Sequence, residues 1–390
     1  MSATKITNAA FRAIAFAGLT GALASAAAPA QTPEQFTLTG DAALFNVAGS
    51  VRIERGTSGD VVVELTRGGS DASRLTIETG SLEGWQTLRV IYPDDNIVYP
   101  RMSGRSRTQF EIADNGTFGS SWSDTDDVSL RRLLRMAFGE RNTVTVRGSG
   151  TGLEAYADVR VLVPVGRRVA VHLGVGEIVA ANVDGNLVVD ARSAPITASG
   201  LRGTVRLATG SGRIELDGAE GNVSLDTGSG DIRVAQVTGD RLSIDTGSGA
   251  VRASEVRSES LSIDTGSGSV DVLGVVAEMI GIDTGSGSIR VDDAQASDLS
   301  LDTGSGSITV DLRTNPRSTN IDTGSGTVTL TVPPELGATL DLSSGSGGIS
   351  TDMPVRIIQQ KRSMLRGTIG DGSARISVET GSGSIRIRSR

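Results

Sequence analysis

Leu225-Asp226-Thr227-Gly228-Ser229-Gly230 returns as Ile244-Asp245-Thr246-Gly247-Ser248-Gly249, and again around Asp264, Asp283, Asp302 and Asp322. Looser copies begin at Ala208-Thr209-Gly210, Ser343-Ser344-Gly345 and Glu379-Thr380-Gly381; His172-Leu173-Gly174-Val175-Gly176 is the weakest. The first glycines stand at 210, 228, 247, 266, 285, 304, 324 and 345, in steps of 18, 19, 19, 19, 19, 20 and 21. A period of this length marks a solenoid, and it is too short for a pair of helices. Its texture is β: Leu261-Ser262-Ile263-Asp264-Thr265 and Ser288-Ile289-Arg290-Val291 alternate apolar and polar residues with period two.

Each coil is therefore expected to hold two short strands joined by Gly-Ser-Gly, followed by a looser return such as Asp292-Asp293-Ala294-Gln295. The corner glycines are expected to supply positive φ. Like coils stack parallel and in register about 4.8 Å apart, so roughly ten to twelve of them make a rod about 50 Å long. The fold class is all-β, a parallel β-solenoid (single-stranded β-helix) of about 18–20 residues per coil. A right-handed crossover is expected, because the chain lacks the six-residue subperiod of left-handed hexapeptide helices. From Gly345 to Gly381 is 36 residues, two periods with an irregular coil between. The segment around Thr351–Gly370 and the last coil are expected to close that end.

Outside the repeat, composition excludes several classes. The 390 residues include 51 Gly, about 13% against a usual ~7%, and no Gly-X-Y period, so collagen is excluded. The absence of Cys excludes a disulfide scaffold, a thiol enzyme, a Cys-ligated zinc site and a lipoprotein-type anchor. The single His172 excludes a multi-His metal site and argues against a Ser-His-Asp triad; it reads as an exposed or turn-capping residue. Residues 1–30 carry Lys5, Arg12, an Ala-rich apolar run and Ala28-Pro29-Ala30, the pattern of a signal peptide. The apolar run is too short for a membrane span, and no later stretch makes one. The chain is expected to be extracytoplasmic, periplasmic or at the cell surface. The formal charge is −8, and −10 without the basic leader. That disfavours nucleic acid as a partner.

All twelve aromatic residues (2 Trp, 3 Tyr, 7 Phe) lie at or before Tyr156. The expected organisation is a signal peptide at 1–30, a β-rich cap region at 31–156 with an irregular insert at 93–147, and the repeat domain at 157–390. Within the insert, Val128–Phe138 reads as a short amphipathic helix with Arg131, Arg132 and Arg135. The insert is either a capping loop or a partner-binding surface.

Asp-Thr-Gly-Ser is also the string of aspartic proteases, which need two carboxylates sharing a proton across a twofold axis. Six copies at steps of 19 or 20 stack along one edge instead. No catalytic residue, no cofactor-binding residue and no cofactor is assigned. The row Asp226, Asp245, Asp264, Asp283, Asp302 and Asp322 is expected to accept backbone N–H groups in Asx-turns. The alternative is a line of Ca²⁺ sites, although calcium β-rolls place Asp after the glycines rather than before. Arg213, Arg233, Arg252 and Arg290 read as solvated residues pairing between coils.

The Asp-Thr-Gly-Ser-Gly-Ser-Ile-x-Val units resemble the bacterial putative-adhesin family of β-strand-repeat proteins, a domain of unknown function. The stretch Gly367-Thr368-Ile369-Gly370-Asp371-Gly372 through Glu379-Thr380-Gly381-Ser382-Gly383-Ser384-Ile385-Arg386-Ile387 is similar to that family's C-terminal end. The resemblance covers about residues 160–390 and implies an exported β-solenoid with no established catalytic residues, so no functional residue is carried over. The expected function is a non-enzymatic, adhesin-like binding or scaffold module of the cell envelope, with a glycan, envelope polymer or protein partner. The alternatives are a carbohydrate-active β-helix enzyme and a Ca²⁺-stabilised roll.

Overall fold

The computed structural model describes residues 33–119 and 141–390. The signal peptide expected at 1–30 and the helix expected over Val128–Phe138 lie outside the described residues. Among the described residues every regular element is a β-strand except a single 3-10 turn at Ala72–Arg74, and there is no α-helix. No helix there is long and apolar enough to cross a membrane.

The repeat units form a parallel β-solenoid. Strands Ile232–Thr246, Val251–Thr265, Val270–Thr284 and Ile289–Thr303 each run from one Gly corner to the next. They pair parallel with the repeat in register: Asp226, Asp245, Asp264, Asp283 and Asp302 are successive partners, as are Thr227, Thr246, Thr265, Thr284 and Thr303. Leu242, Ile244, Ile232 and Val234 and their equivalents point inward and are buried. One apolar core runs unbroken from Leu38 to Ile387, and the N-terminal strands share it with the repeats.

Two expectations about the coil are corrected. The return is a third β side. Ala219, Val237, Val256 and Val275 pair in turn and are buried, so the core has three walls. The left-handed backbone falls at the start of that side. Asn182, Gly200, Gly218, Gln236, Glu255, Gly274 and Asp293 have φ from +54° to +79°. The Gly-Ser-Gly glycines of the repeats have no positive φ. They are required by close approach instead: a Cβ on Gly230, Gly249 or Gly268 would lie 1.7–1.8 Å from the carbonyl oxygen of the equivalent glycine one coil earlier.

The N-terminal end is built from distant sequence. Ala42–Arg55 forms the first coil and pairs parallel with Arg167–Ala181. On one side of the rod Trp85–Ile91 adds in parallel, and Thr76–Leu82 then closes the sheet antiparallel. On another, Tyr156–Val163 adds in parallel, followed antiparallel by Val61–Gly68 and Glu34–Leu38.

The C-terminal end corrects the expected chain order. The last coil is not terminal. Ala374–Thr380 lies between Ser318–Thr323 and Ala338–Ser344, and Ile385–Ser389 lies between Val328–Val332 and Ile349–Thr351. Gly345 therefore stacks on Gly381, not on Gly324. Residues 374–389 keep the template on both edges, with Ile376, Val378, Thr380, Ile385 and Ile387 buried, so they fit between two like coils. The hairpin Arg356–Lys361/Met364–Ile369 has lost the template and ends the sheet antiparallel.

Replacing Gly268 by Ala forces a Cβ against the Gly249 carbonyl and is expected to destabilise the fold by about 3 kcal/mol. Ser267→Ala, at the exposed corner position beside it, is expected to change stability by under about 0.5 kcal/mol. Urea unfolding of both variants checks the contrast.

Candidate binding face

At each Gly-Ser-Gly corner the inward residue is Thr, and its hydroxyl joins two coils. Thr284 accepts a hydrogen bond from the Gly287 N–H at 3.0 Å and donates to the Gly268 carbonyl of the preceding coil at 3.0 Å. Thr227, Thr246, Thr265, Thr303, Thr323 and Thr380 do the same, and Ser344 takes the place in the outermost coil. All are buried. Thr suits the place because one hydroxyl both donates and accepts while its methyl joins the apolar wall.

The Asx-turn expectation is thereby corrected. Asp226, Asp245, Asp264, Asp283, Asp302 and Asp322 alternate with the inward Thr, so their side chains stand on the outer surface. Register extends the row beyond the repeats, through Ala208 to Asp190 at one end and to Glu379 at the other. Asp190 was missed because its unit lacks the Thr-Gly string; Glu379 was visible as a degenerate copy. Neighbouring carboxylates about 4.8 Å apart raise each other's proton affinity. Partial burial in the stack is the larger cause that pushes Asp226, Asp264, Asp302 and Asp322 above the usual carboxylate range, followed by the carboxylates of neighbouring coils. Among the described residues no three His, Cys, Asp or Glu side chains converge where a metal ion would sit.

Beside this row runs a corner line of serines, one per coil: Ser193, Ser211, Ser229, Ser248, Ser267, Ser286, Ser305 and Ser325. The Ser211 hydroxyl reaches that of Ser193 at 3.1 Å. On the adjoining side the arginines behave partly as expected. Arg233 and Arg252 reach Glu215 and Asp271 of neighbouring coils, whereas Arg213 and Arg290 pair with Glu215 and Asp292 two residues along in their own coils. All are well exposed, and each pair contributes little to stability.

The aromatic residues explain the insert. Asn96–Val98, Arg107–Ala113 and Arg141–Arg147 form a separate three-stranded sheet. Phe45, Trp85, Tyr99, Phe110, Phe118 and Val146 join it to the outer face of strands Ala42–Arg55 and Arg167–Ala181 as a second core. This cover buries His172, correcting the expected exposed or turn-capping role: the ring is 1% exposed and stacks on Phe45 at 4.6 Å and 6°. Its Nδ1 lies 3.5 Å from the Asp190 carboxylate. Arg101 pins the insert, donating two 2.8 Å hydrogen bonds to Asp158, which also accepts from the N–H and hydroxyl of Ser50.

Between the insert and the first solenoid corners lies a groove of about 550 Å³. Tyr99, Arg101, Arg107 and Thr108 line one wall; Glu177, Ser193, Pro195 and Ser211 line the other. The groove opens onto the first members of the serine line. The insert is thus a packed cover whose edge makes a concave, polar site continuous with the repeating face.

A three-walled parallel solenoid with a buried hydroxyl ladder at its corners defines the class of protein. The chain belongs to the family described as Toastrack DUF4097, whose model matches residues 157–388, more than half of its length. No curated protein matches the chain. Among solved structures, a putative cell adhesion protein from Clostridium sporogenes is 11% identical, with 92% of this chain and 100% of that one covered. The TM-score is 0.19, too low to relate the two folds.

Thr284→Val keeps the shape but leaves the Gly287 N–H and Gly268 carbonyl without their partner. It is expected to cost about 2 kcal/mol, while Thr284→Ser, which keeps the hydroxyl, costs less; thermal melts of the two variants check this. The acid row has the opposite sign. Because folding raises the carboxyl pKa values of Asp226, Asp264, Asp302 and Asp322, their favourable contribution is present below the ordinary carboxylate range and is lost as pH rises through the raised values. Asp264→Asn is therefore expected to stabilise at neutral pH by a few tenths of a kcal/mol, given solvent screening. The gain should shrink near pH 4 and in high salt, read by melts across pH and ionic strength.

Proposed function

We propose that this protein is an exported, non-enzymatic, adhesin-like module that binds or scaffolds extended components of the cell envelope. The observation that carries the reading is the repeating outer face, where serine positions recur at every coil into the groove beside the insert and carboxylates recur beside them, broken once at Ala208. A ligand lying along such a face meets the same hydroxyl and carboxylate set about every 4.8 Å. That suits a glycan strand, an envelope polymer or an extended protein segment better than a small molecule. Stacked repeats present long faces of this kind because each coil contributes the same side chains. The basic and apolar leader at 1–30 supports export, and the −10 charge of the remainder supports a partner other than nucleic acid.

The choice of binding over catalysis rests on the groove's chemistry. A glycosidase needs a pair of carboxyl groups at a defined separation across the scissile bond. Glu177 is the carboxylate lining the groove, and nearby Asp158 is held by Arg101. The repeat region also lacks the aromatic stacking platforms usual in sugar-cleaving clefts.

Fluorescently labelled protein, added to intact cells and to isolated envelope fractions with and without EDTA, tests the proposal. Saturable binding to one fraction, insensitive to EDTA and reduced by charge-reversing substitution of Arg107 in the groove, is expected. Absence of binding to every fraction, or turnover of a polysaccharide, overturns it. Loss of binding in EDTA transfers the role to a cation-held acid row.

A further inference from the structure

The two ends of the rod are stepped in opposite senses. Consider the sheet that carries the acid row. At the C-terminal end it runs two strands beyond the outermost coil, through Met364–Ile369 to Arg356–Lys361, while the sheet containing Ile349–Thr351 stops there. At the N-terminal end the acid-row sheet again runs two strands past the first coil, through Trp85–Ile91 to Thr76–Leu82. The other sheet runs three, ending at Glu34–Leu38. One end thus projects on the acid-row side and the other end projects on the opposite side.

Arg356–Lys361 and Thr76–Leu82 are therefore the two free edges of one sheet. Among the described residues each is hydrogen-bonded on one side only, to Met364–Ile369 and to Trp85–Ile91. Every residue of Arg356–Lys361 is exposed, with Ile357 and Ile358 at 51% and 71%. Proteins ordinarily cover or blunt such an edge. Strand direction is also set. Arg356–Lys361 runs the same way as the solenoid strands of its sheet, because it is two antiparallel steps from Ala338–Ser344; Thr76–Leu82 runs the opposite way. Laying one copy's Arg356–Lys361 beside the next copy's Thr76–Leu82 gives an antiparallel pair, with both rods pointing the same way along one axis.

Charge selects this pairing over others. Arg356, Lys361 and Arg362 make the C-terminal edge basic in an acidic chain, while on the N-terminal edge Glu78 pairs with the largely buried Arg89 at 3.2 Å and, at 48% exposed, can take a second cation from outside. With Lys361 opposite Glu78, Gln360 falls opposite Thr79. Both lie on the core side of their sheets, since their present partners are the buried Leu365 and Leu88. The bulge between Ile357 and Gln359 then sets Arg356 opposite Leu82, and the two isoleucines are covered. Two C-terminal edges pairing with each other antiparallel would instead set Arg356 beside Lys361, and like charges facing each other destabilise a strand pair.

We infer that the protein associates head to tail with further copies of itself, the Arg356–Lys361 edge of one copy continuing its sheet onto the Thr76–Leu82 edge of the next. Such a contact is heterologous and does not close on itself, so it builds filaments rather than dimers. It occupies the ends of the rod and leaves the sides free, independent of what the sides bind.

Sedimentation velocity of the purified protein over a wide concentration range, with negative-stain microscopy, is the test. A ladder of masses extending past the dimer, and thin unbranched filaments, are expected. Lys361→Glu and Glu78→Lys should each weaken association by about tenfold or more, and the double charge swap should restore it. Ile358→Asp should abolish it, with melting temperatures unchanged in this variant and in Lys361→Glu; the two proteins carrying Glu78→Lys also lose the Glu78–Arg89 pair and should melt somewhat lower. A monomer at every concentration overturns the inference. So does a closed dimer, or association that ignores both charge reversals, since either would place the contact elsewhere.

Discussion

The structure depends on backbone lying directly on backbone at the Gly-Ser-Gly corner. Coils about 4.8 Å apart leave no room there for a Cβ, and the carbonyl of each corner glycine points at the α-carbon of the glycine in the next coil. A corner without side chains gains no apolar burial and needs another source of cohesion. The buried Thr hydroxyl supplies it by satisfying the N–H of its own corner and the carbonyl of the neighbour. Together these contacts fix the register, since a slip of one residue would bring side chains to the corner and turn the Thr outward. The rows of Ser and Asp on the outer face follow from that register. They are the residues on either side of an inward Thr and an inward Gly, repeated once per coil.

The same economy explains where the aromatic residues are. A core walled by Leu, Ile, Val and Ala on three short sides has no space that demands a ring. Rings occur where a second layer must be glued to the outside, at Phe45, Trp85, Phe110 and Phe118 beneath the insert. His172 shares that layer and is buried through the insert, not through the coil to which it belongs. The insert thereby makes a concave part of the solenoid face, and its edge with the corner serines is the groove.

Ends are the other consequence of stacking. An interior coil is satisfied by two neighbours like itself, whereas a terminal coil must be covered by something unlike itself. Both ends use the same device, an antiparallel strand pair that departs from the repeat: Thr76–Leu82 on Trp85–Ile91, and Arg356–Lys361 on Met364–Ile369. The C-terminal coil at 374–389 shows the converse. It retains the template and so takes an interior place, although later in the chain than the coil it displaces outward.

What the amino-acid sequence determined alone was the local and periodic part: a β-coil of about 19 residues, parallel stacking, and an in-register Asp row from Asp226 to Asp322. These were legible because a coil's pattern depends on its own residues and on neighbours with the same pattern. Tertiary structure decided the rest. It assigned the corner to Thr rather than Asp, since strand alternation and the direction of the corner choose which of two adjacent polar residues faces in. It moved the left-handed residues to the return, where Gln236, Glu255 and Asp293 carry no glycine signal. It also placed Ala374–Thr380 between two earlier strands and put the insert over His172. Those outcomes depend on contacts between segments far apart in the chain, and no local periodicity encodes which of several equivalent edges a distant strand will meet.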